Sequence, residues 1–178
     1  TTEIYTLSLH DALPIYYLPG SGAMIHWPYI YDRYNDDVKS ILSEIGYNMK
    51  QPWDIKLKGW YNFTTNNEEE WVHDHMGGAT NINYALTHFI HLEDDDDGTI
   101  FLNPNYKMIR AAMPTKNVNY LPDSIFNDRY QVKAEEGDIV LFPSWLDHTA
   151  PKHTSNKLRI VNAVNIMMKL TNQDEDGF

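Results

Sequence analysis

This sequence predicts a mainly β fold, a sandwich or barrel of short strands with a helix laid against it. Three observations carry that expectation. From Lys56 onward, apolar and polar residues alternate in short runs between turn-forming clusters, enough for roughly eight or nine strands. Aromatic residues make up 13% of the chain, with 12 Tyr and 5 Trp, and such side chains favour pleated, half-buried surfaces. Only one stretch, Val38–Ile45, repeats its apolar residues with a helical period.

Taken in order, Tyr16–Pro28 is rich in Gly, Pro and aromatics and reads as loop or short strand. A helix over Asn35–Ile45 follows. Asn35 is placed to cap it, and Asp36 and Asp37 fall in the first turn, where carboxylates suit the helix dipole. Val38, Ile41, Leu42 and Ile45 recur at i, i+3, i+4 and i+7, and Gly46 is placed to end the helix. The product is an amphipathic buttress for a sheet.

Strands then succeed one another. Lys56–Thr64 alternates with aromatics, and Glu70–His75 and Asn81–Leu92 flank a turn at Gly77-Gly78. The run Asp94-Asp95-Asp96-Asp97-Gly98 reads as a hairpin tip before Thr99–Leu102. It lacks the spaced ligands of a calcium loop. Arg110–Met113, Tyr130–Ala134, Asp138–Phe142 and Lys157–Leu170 complete the set. Pro114–Asp128 is a long polar loop suited to a lid. Residues 16–170 are expected to form one domain, with Thr171–Phe178 as a frayed tail.

Residues 1–15 stand apart. They resemble a translated sequencing-adapter read-through rather than a signal peptide, because a basic start and an uninterrupted apolar stretch are both missing. The expectation is that the natural N-terminus is absent.

At 178 residues the chain can bury a core without covalent staples. It has no cysteine, which rules out disulfides and thiolate metal sites and fits a reducing, cytoplasmic compartment. No apolar run approaches membrane-spanning length. A formal net charge of −11 argues against nucleic acid as a partner, since phosphate contacts need basic patches. A small molecule or a peptide is the expected substrate. Composition leaves the oligomeric state open.

The chemistry concentrates in a few residues. His73 and His75 stand one residue apart in Trp71-Val72-His73-Asp74-His75, and in a strand such residues point to one face. His148 ends Phe142-Pro143-Ser144-Trp145-Leu146-Asp147-His148 and can close on them from a distant strand. Converging imidazoles are how proteins hold a first-row transition metal. Arg159 lies in an apolar strand, where an arginine implies a paired charge. By alternation it shares a face with Val161, Ala163 and Asn165, small enough residues to leave space for a ligand.

Order, type and spacing together resemble the iron(II)- and 2-oxoglutarate-dependent oxygenases, nearest the prolyl-hydroxylase-like branch of bacteria and phages. The resemblance runs over about Leu57–Ile166. It rests on Trp60-Tyr61-Asn62, the His-x-His pair, Gly98-Thr99-Ile100-Phe101-Leu102-Asn103-Pro104 and the Phe-Pro-Ser-Trp-Leu-Asp-His stretch. It implies a double-stranded β-helix, or jelly roll, with one or two buttressing α-helices. It also implies iron(II), 2-oxoglutarate as co-substrate, O2, and hydroxylation of a substrate with release of succinate and CO2. Arg159 would pair with the distal carboxylate of 2-oxoglutarate through a bidentate contact. His91 would take the place of a tyrosine that touches the same carboxylate. Asn62, and either Asn83 or Tyr84, would face the pocket.

One departure stands out. The family's usual motif is His-x-Asp with a distal His, and here the third motif position is His75. Three ligand sets follow: His73, His75 and His148; His73, Asp74 and His148 if a bulge turns Asp74 inward; or His73 and His148 with His75 beside them. A cupin-type three-histidine dioxygenase or isomerase would suit the first set, but would have no need of Arg159. A non-catalytic jelly-roll binding protein is the third class. His88 reads as surface or core, His153 as solvated loop, and Glu68-Glu69-Glu70 as a solvated strand entry.

Overall fold

The computed structural model describes residues 5–8, 27–64, 70–76, 81–92, 98–112, 127–154 and 157–171. The Gly77-Gly78 turn, the acidic run Asp94–Asp97, the lid segment up to residue 126 and the tail beyond Thr171 lie outside them.

Among the described residues, ten elements follow in order: β1 (Tyr5–Ser8), α1 (Trp27–Glu44), β2 (Trp53–Thr64), β3 (Tyr84–His91), β4 (Ile100–Leu102), α2 (Tyr106–Ala112), β5 (Arg129–Gln131), β6 (Asp138–Pro143), β7 (His148–Thr149) and β8 (Arg159–Leu170). They form two antiparallel sheets, one ordered β1-β6-β3-β8-β2 and the other β5-β4-β7. An isolated antiparallel bridge between His73 and His148 adds segment 70–76 to the free edge of β7. From β2 onward the chain passes back and forth between sheets. It visits the large sheet at β2, β3, β6 and β8, and the small one at segment 70–76, β4, β5 and β7. That alternation is the winding of a double-stranded β-helix.

The strands that line the fold read as they do because both faces of the large sheet are covered. On β6, Ile139 and Leu141 point to α1, while Val140 and Phe142 point to the small sheet. A strand covered on both sides is continuously apolar, which Ile-Val-Leu-Phe is. On α1, Ile30, Tyr34, Val38, Ile41 and Leu42 are all buried and pack on Leu57, Leu86, Val164 and Ile166. The helix ends where Gly46 takes φ 106°, with the Tyr47 N–H donating to the Leu42 carbonyl and the Gly46 N–H to Ser43.

Two sequence expectations change here. The helix starts at Trp27, eight residues before Asn35, because Ile30 and Tyr34 carry the apolar stripe back from Val38 in steps of four. Asn35 sits in its middle, donating to the Asp36 carboxylate. Of Arg110–Met113, expected as strand, Arg110–Ala112 close α2 and Met113 lies outside the described residues. The cause is local: the Asn103 side chain accepts the Asn105 N–H at 3.0 Å, and Pro104 fits the first turn, so Asn103-Pro104 starts a helix. The backbone of Tyr5–Ser8 pairs with β6 as an edge strand.

Candidate metal centre

His73 and His75 lie on the extended segment after β2, and His148 opens β7. Backbone bonds hold these stretches together. The His73 N–H donates to the His148 carbonyl and the His148 N–H returns to His73, each at 3.0 Å; the His75 N–H reaches the Ser144 carbonyl at 2.8 Å. One potential ligand atom from each of the three imidazoles falls within 4.8 Å of the others. The rings of His75 and His148 stack 5.0 Å apart with their planes 6° from parallel.

Tautomers follow from the partners. A carbonyl can only accept, so His73 Nδ1–H donates to the Trp71 carbonyl at 2.8 Å and His148 Nδ1–H to the Leu146 carbonyl at 2.9 Å. Each neutral ring then presents a bare Nε2. His148 Nε2 faces His75 Nε2 at 3.2 Å, where two nitrogens either share a proton or turn both lone pairs to one cation. Burial pushes His148 down to about 4, against the Leu146 carbonyl, and the neighbouring His73 and His75 add to the depression. Burial, with His73 beside it, also lowers His75, while the Asn165 side chain opposes the shift. Burial thus biases His75 and His148 toward the neutral form, the one a metal needs. The donor set fits a divalent first-row ion.

The cavity in front of the histidines is walled by Trp60 and Asn62 from β2, Thr87 from β3, Phe142 from β6, and Arg159 and Ala163 from β8. Arg159 is only 2% exposed. Its cation is thus brought to the floor of the same hollow the imidazoles face. A guanidinium at that place can take a carboxylate through a bidentate contact.

Several expected site residues stand elsewhere. Asp74 is exposed and accepts the Met76 N–H at 2.9 Å, outside the ligand cluster. His91 does not line the cavity. The register slips between Phe89 and His91, and His91 turns to Glu136 at 2.6 Å, so Thr87 is the polar side chain that β3 gives to the cavity wall. Tyr84 has the parity of Leu86 and His88 and faces α1, its hydroxyl 2.9 Å from that of Tyr47. Asn83 accepts the Met168 N–H and is exposed. His153, expected in solvent, is 1% exposed and donates from Nε2 to the Lys157 carbonyl at 2.8 Å. Glu70, expected at a solvated strand entry, lines the cavity. Alternation would not have found it, because in a regular strand Glu70 and His73 fall on opposite faces.

Comparison with known proteins completes the picture. The sequence profile of a family described as "Putative 2OG-Fe(II) oxygenase" matches residues 58–165. No curated protein is similar enough in sequence to match. Among solved structures, an oxidoreductase of the 2OG-Fe(II) oxygenase family from Burkholderia pseudomallei is similar at 8% identity and a TM-score of 0.53, over 79% of this chain and 57% of that one. A prolyl-4-hydroxylase from Pseudomonas putida gives 10% identity and 0.48, over 76% and 64% of the two chains. HygX from Streptomyces hygroscopicus, solved with nickel and 2-oxoglutarate bound, gives 16% and 0.48, over 79% and 67%. The chain spans less than two-thirds of the length of the first two. The likeness to the Burkholderia protein is one of fold, and it agrees with the strand order above.

Proposed function

Since the chain belongs to the 2OG-Fe(II) oxygenase family, we propose that it hydroxylates a small molecule or a peptide side chain, converting 2-oxoglutarate to succinate and CO2. The observation that carries this reading is the pairing of a three-imidazole cluster with a buried Arg159 on one cavity. His73, His75 and His148 would hold iron(II) through their ring nitrogens. When bound, iron(II) with 2-oxoglutarate and O2 supplies the oxidising chemistry.

The protein's own part is binding, orientation and exclusion of water. The carbonyls of Trp71 and Leu146 keep two rings in the tautomer that presents Nε2. The reciprocal backbone bonds between His73 and His148 hold together the two segments that carry those rings. Arg159 would clasp the distal carboxylate of 2-oxoglutarate, with Thr87 and Asn62 offering hydrogen bonds on the same face. A dianionic co-substrate also suits a site whose ligands carry no charge. Phe142 and Trp60 wall the cavity and keep water from the reacting centre.

Trp71, 88% exposed, with Val72 and Met76, gives the ligand-bearing segment an apolar rim on which a substrate can rest. The acidic charge of the chain weighs against a nucleic-acid substrate. Among the described residues, no helix is long and apolar enough to cross a membrane. The absence of cysteine suits work with ferrous iron in a reducing, cytoplasmic compartment.

The test is an anaerobic titration with iron(II) and 2-oxoglutarate, which should raise the weak visible charge-transfer band of the chelate. A cupin-type enzyme would bind metal and ignore 2-oxoglutarate; a binding protein would take neither. Arg159→Ala should raise the 2-oxoglutarate requirement by roughly 30- to 1,000-fold, the loss expected when one member of a buried charge pair is truncated. Metal affinity should stay nearly intact. Equal co-substrate dependence in that variant would sink the assignment.

A further inference from the structure

Glu70 is the acidic residue among those described along the cavity wall. Its Oε1 lies 3.9 Å from His73 Nε2. His73 has already spent its ring proton, since Nδ1–H donates to the Trp71 carbonyl. In the neutral ring, Nε2 is a lone pair. A carboxylate oxygen and a bare ring nitrogen are both acceptors, and two acceptors face each other stably only with a positive centre or a shared donor between them.

Two readings of that centre compete. Glu70 could be a direct ligand, but its oxygens fall outside the cluster whose atoms all lie within 4.8 Å of one another. A water on the ion beside His73 would lie about 3 Å from Nε2 and would reach a carboxylate one hydrogen bond further out. A 3.9 Å separation between Oε1 and Nε2 fits that second arrangement without moving a side chain.

The backbone at Glu70 is held by the fold: the Thr149 hydroxyl, next to His148, donates to the Glu70 main-chain carbonyl.

We propose that Glu70 is a positioning residue of the metal centre, accepting a hydrogen bond from a water that the ion carries beside His73. The proposal rests on the three-histidine reading of the site. Glu70 thereby retains the ion and holds open one coordination position for displacement by co-substrate.

Mn(II) alone is the probe, with affinity measured by anaerobic calorimetry and bound waters counted by proton relaxation. Glu70→Ala should bind Mn(II) roughly 10- to 100-fold more weakly, the usual cost of losing a partner behind a metal's ligands, with the same number of waters. Glu70→Gln keeps an acceptor but no charge, and should fall between the two. The side chain is 38% exposed, so both variants should fold. Unchanged Mn(II) affinity in Glu70→Ala overturns the proposal. One additional water on Mn(II) in that variant also overturns it, by making Glu70 a direct ligand. A wild-type protein that binds no Mn(II) would instead count against the three-histidine reading itself.

Discussion

His88 and His148 are both buried histidines whose imidazoles burial depresses to about 4, and they lie on opposite sides of the large sheet. His88, on β3, faces α1. Its Nδ1 meets the Tyr34 hydroxyl at 2.7 Å and its ring stands edge-on to that tyrosine. Arg33 adds to its depression. His148, on β7, faces two other imidazoles and a guanidinium across a cavity. The difference shows what a low imidazole pKa can and cannot say. It reports burial, and burial is common to both. A hydroxyl against one nitrogen completes a core. Nitrogens converging with bare lone pairs on one point form a donor set that suits a cation.

The largest effect that would break the comparison is on metal binding. His148→Ala should cost more than the roughly 100-fold lost with an outer partner, because it removes a donor outright. His88→Ala should leave Mn(II) or Ni(II) affinity unchanged. Calorimetry on both variants checks it, and a metal-deficient His88→Ala would erase the distinction.

Acid should sharpen it next. In the folded state His88 stays neutral down to about 4, whereas the unfolded chain takes up a proton near 6.5. Stability from this group is therefore whole above pH 6.5 and is lost as pH falls toward 4, by about 3 kcal/mol at most. His148 adds a loss of the same sign in metal-free protein. Urea unfolding at pH 7, 5.5 and 4.5 should show a flatter decline for His88→Leu than for wild type. With metal bound, the contribution of His148 should shift to lower pH, because protons then compete with the ion.

The smallest effect is at Tyr34→Phe, which removes the hydroxyl from His88. It should destabilise by about 1 kcal/mol and leave 2-oxoglutarate affinity untouched. Denaturant midpoints and co-substrate titration on the same variant measure both.

How far the sequence foretold this arrangement depends on how regular the backbone is. Alternation along β8 is unbroken, and Arg159 and Ala163 lie on the cavity side just as their spacing says. The same arithmetic fails at His91, because a register slip after Phe89 reverses the parity and no residue type announces it. Tyr84 was ambiguous for a different reason: a strand end seen alone does not show which parity is the inner one. Tyr34 and Ile30 were hidden inside a segment whose aromatics suited strands as well as helices, so the start of α1 was set too late. His153 is buried through a bond to the main chain at Lys157, a contact that leaves no mark in side-chain pattern.

The bridge between His73 and His148 has a thermodynamic side. An ion gripped by His75 and His148 ties together points 73 residues apart along the chain, much as a covalent cross-link would. An unfolded chain must pay the entropy of closing that loop before it can chelate, so the ion favours the folded form by mass action. The melting temperature of this protein should therefore climb with free metal concentration, and a thermal scan becomes a gauge of how full the centre is.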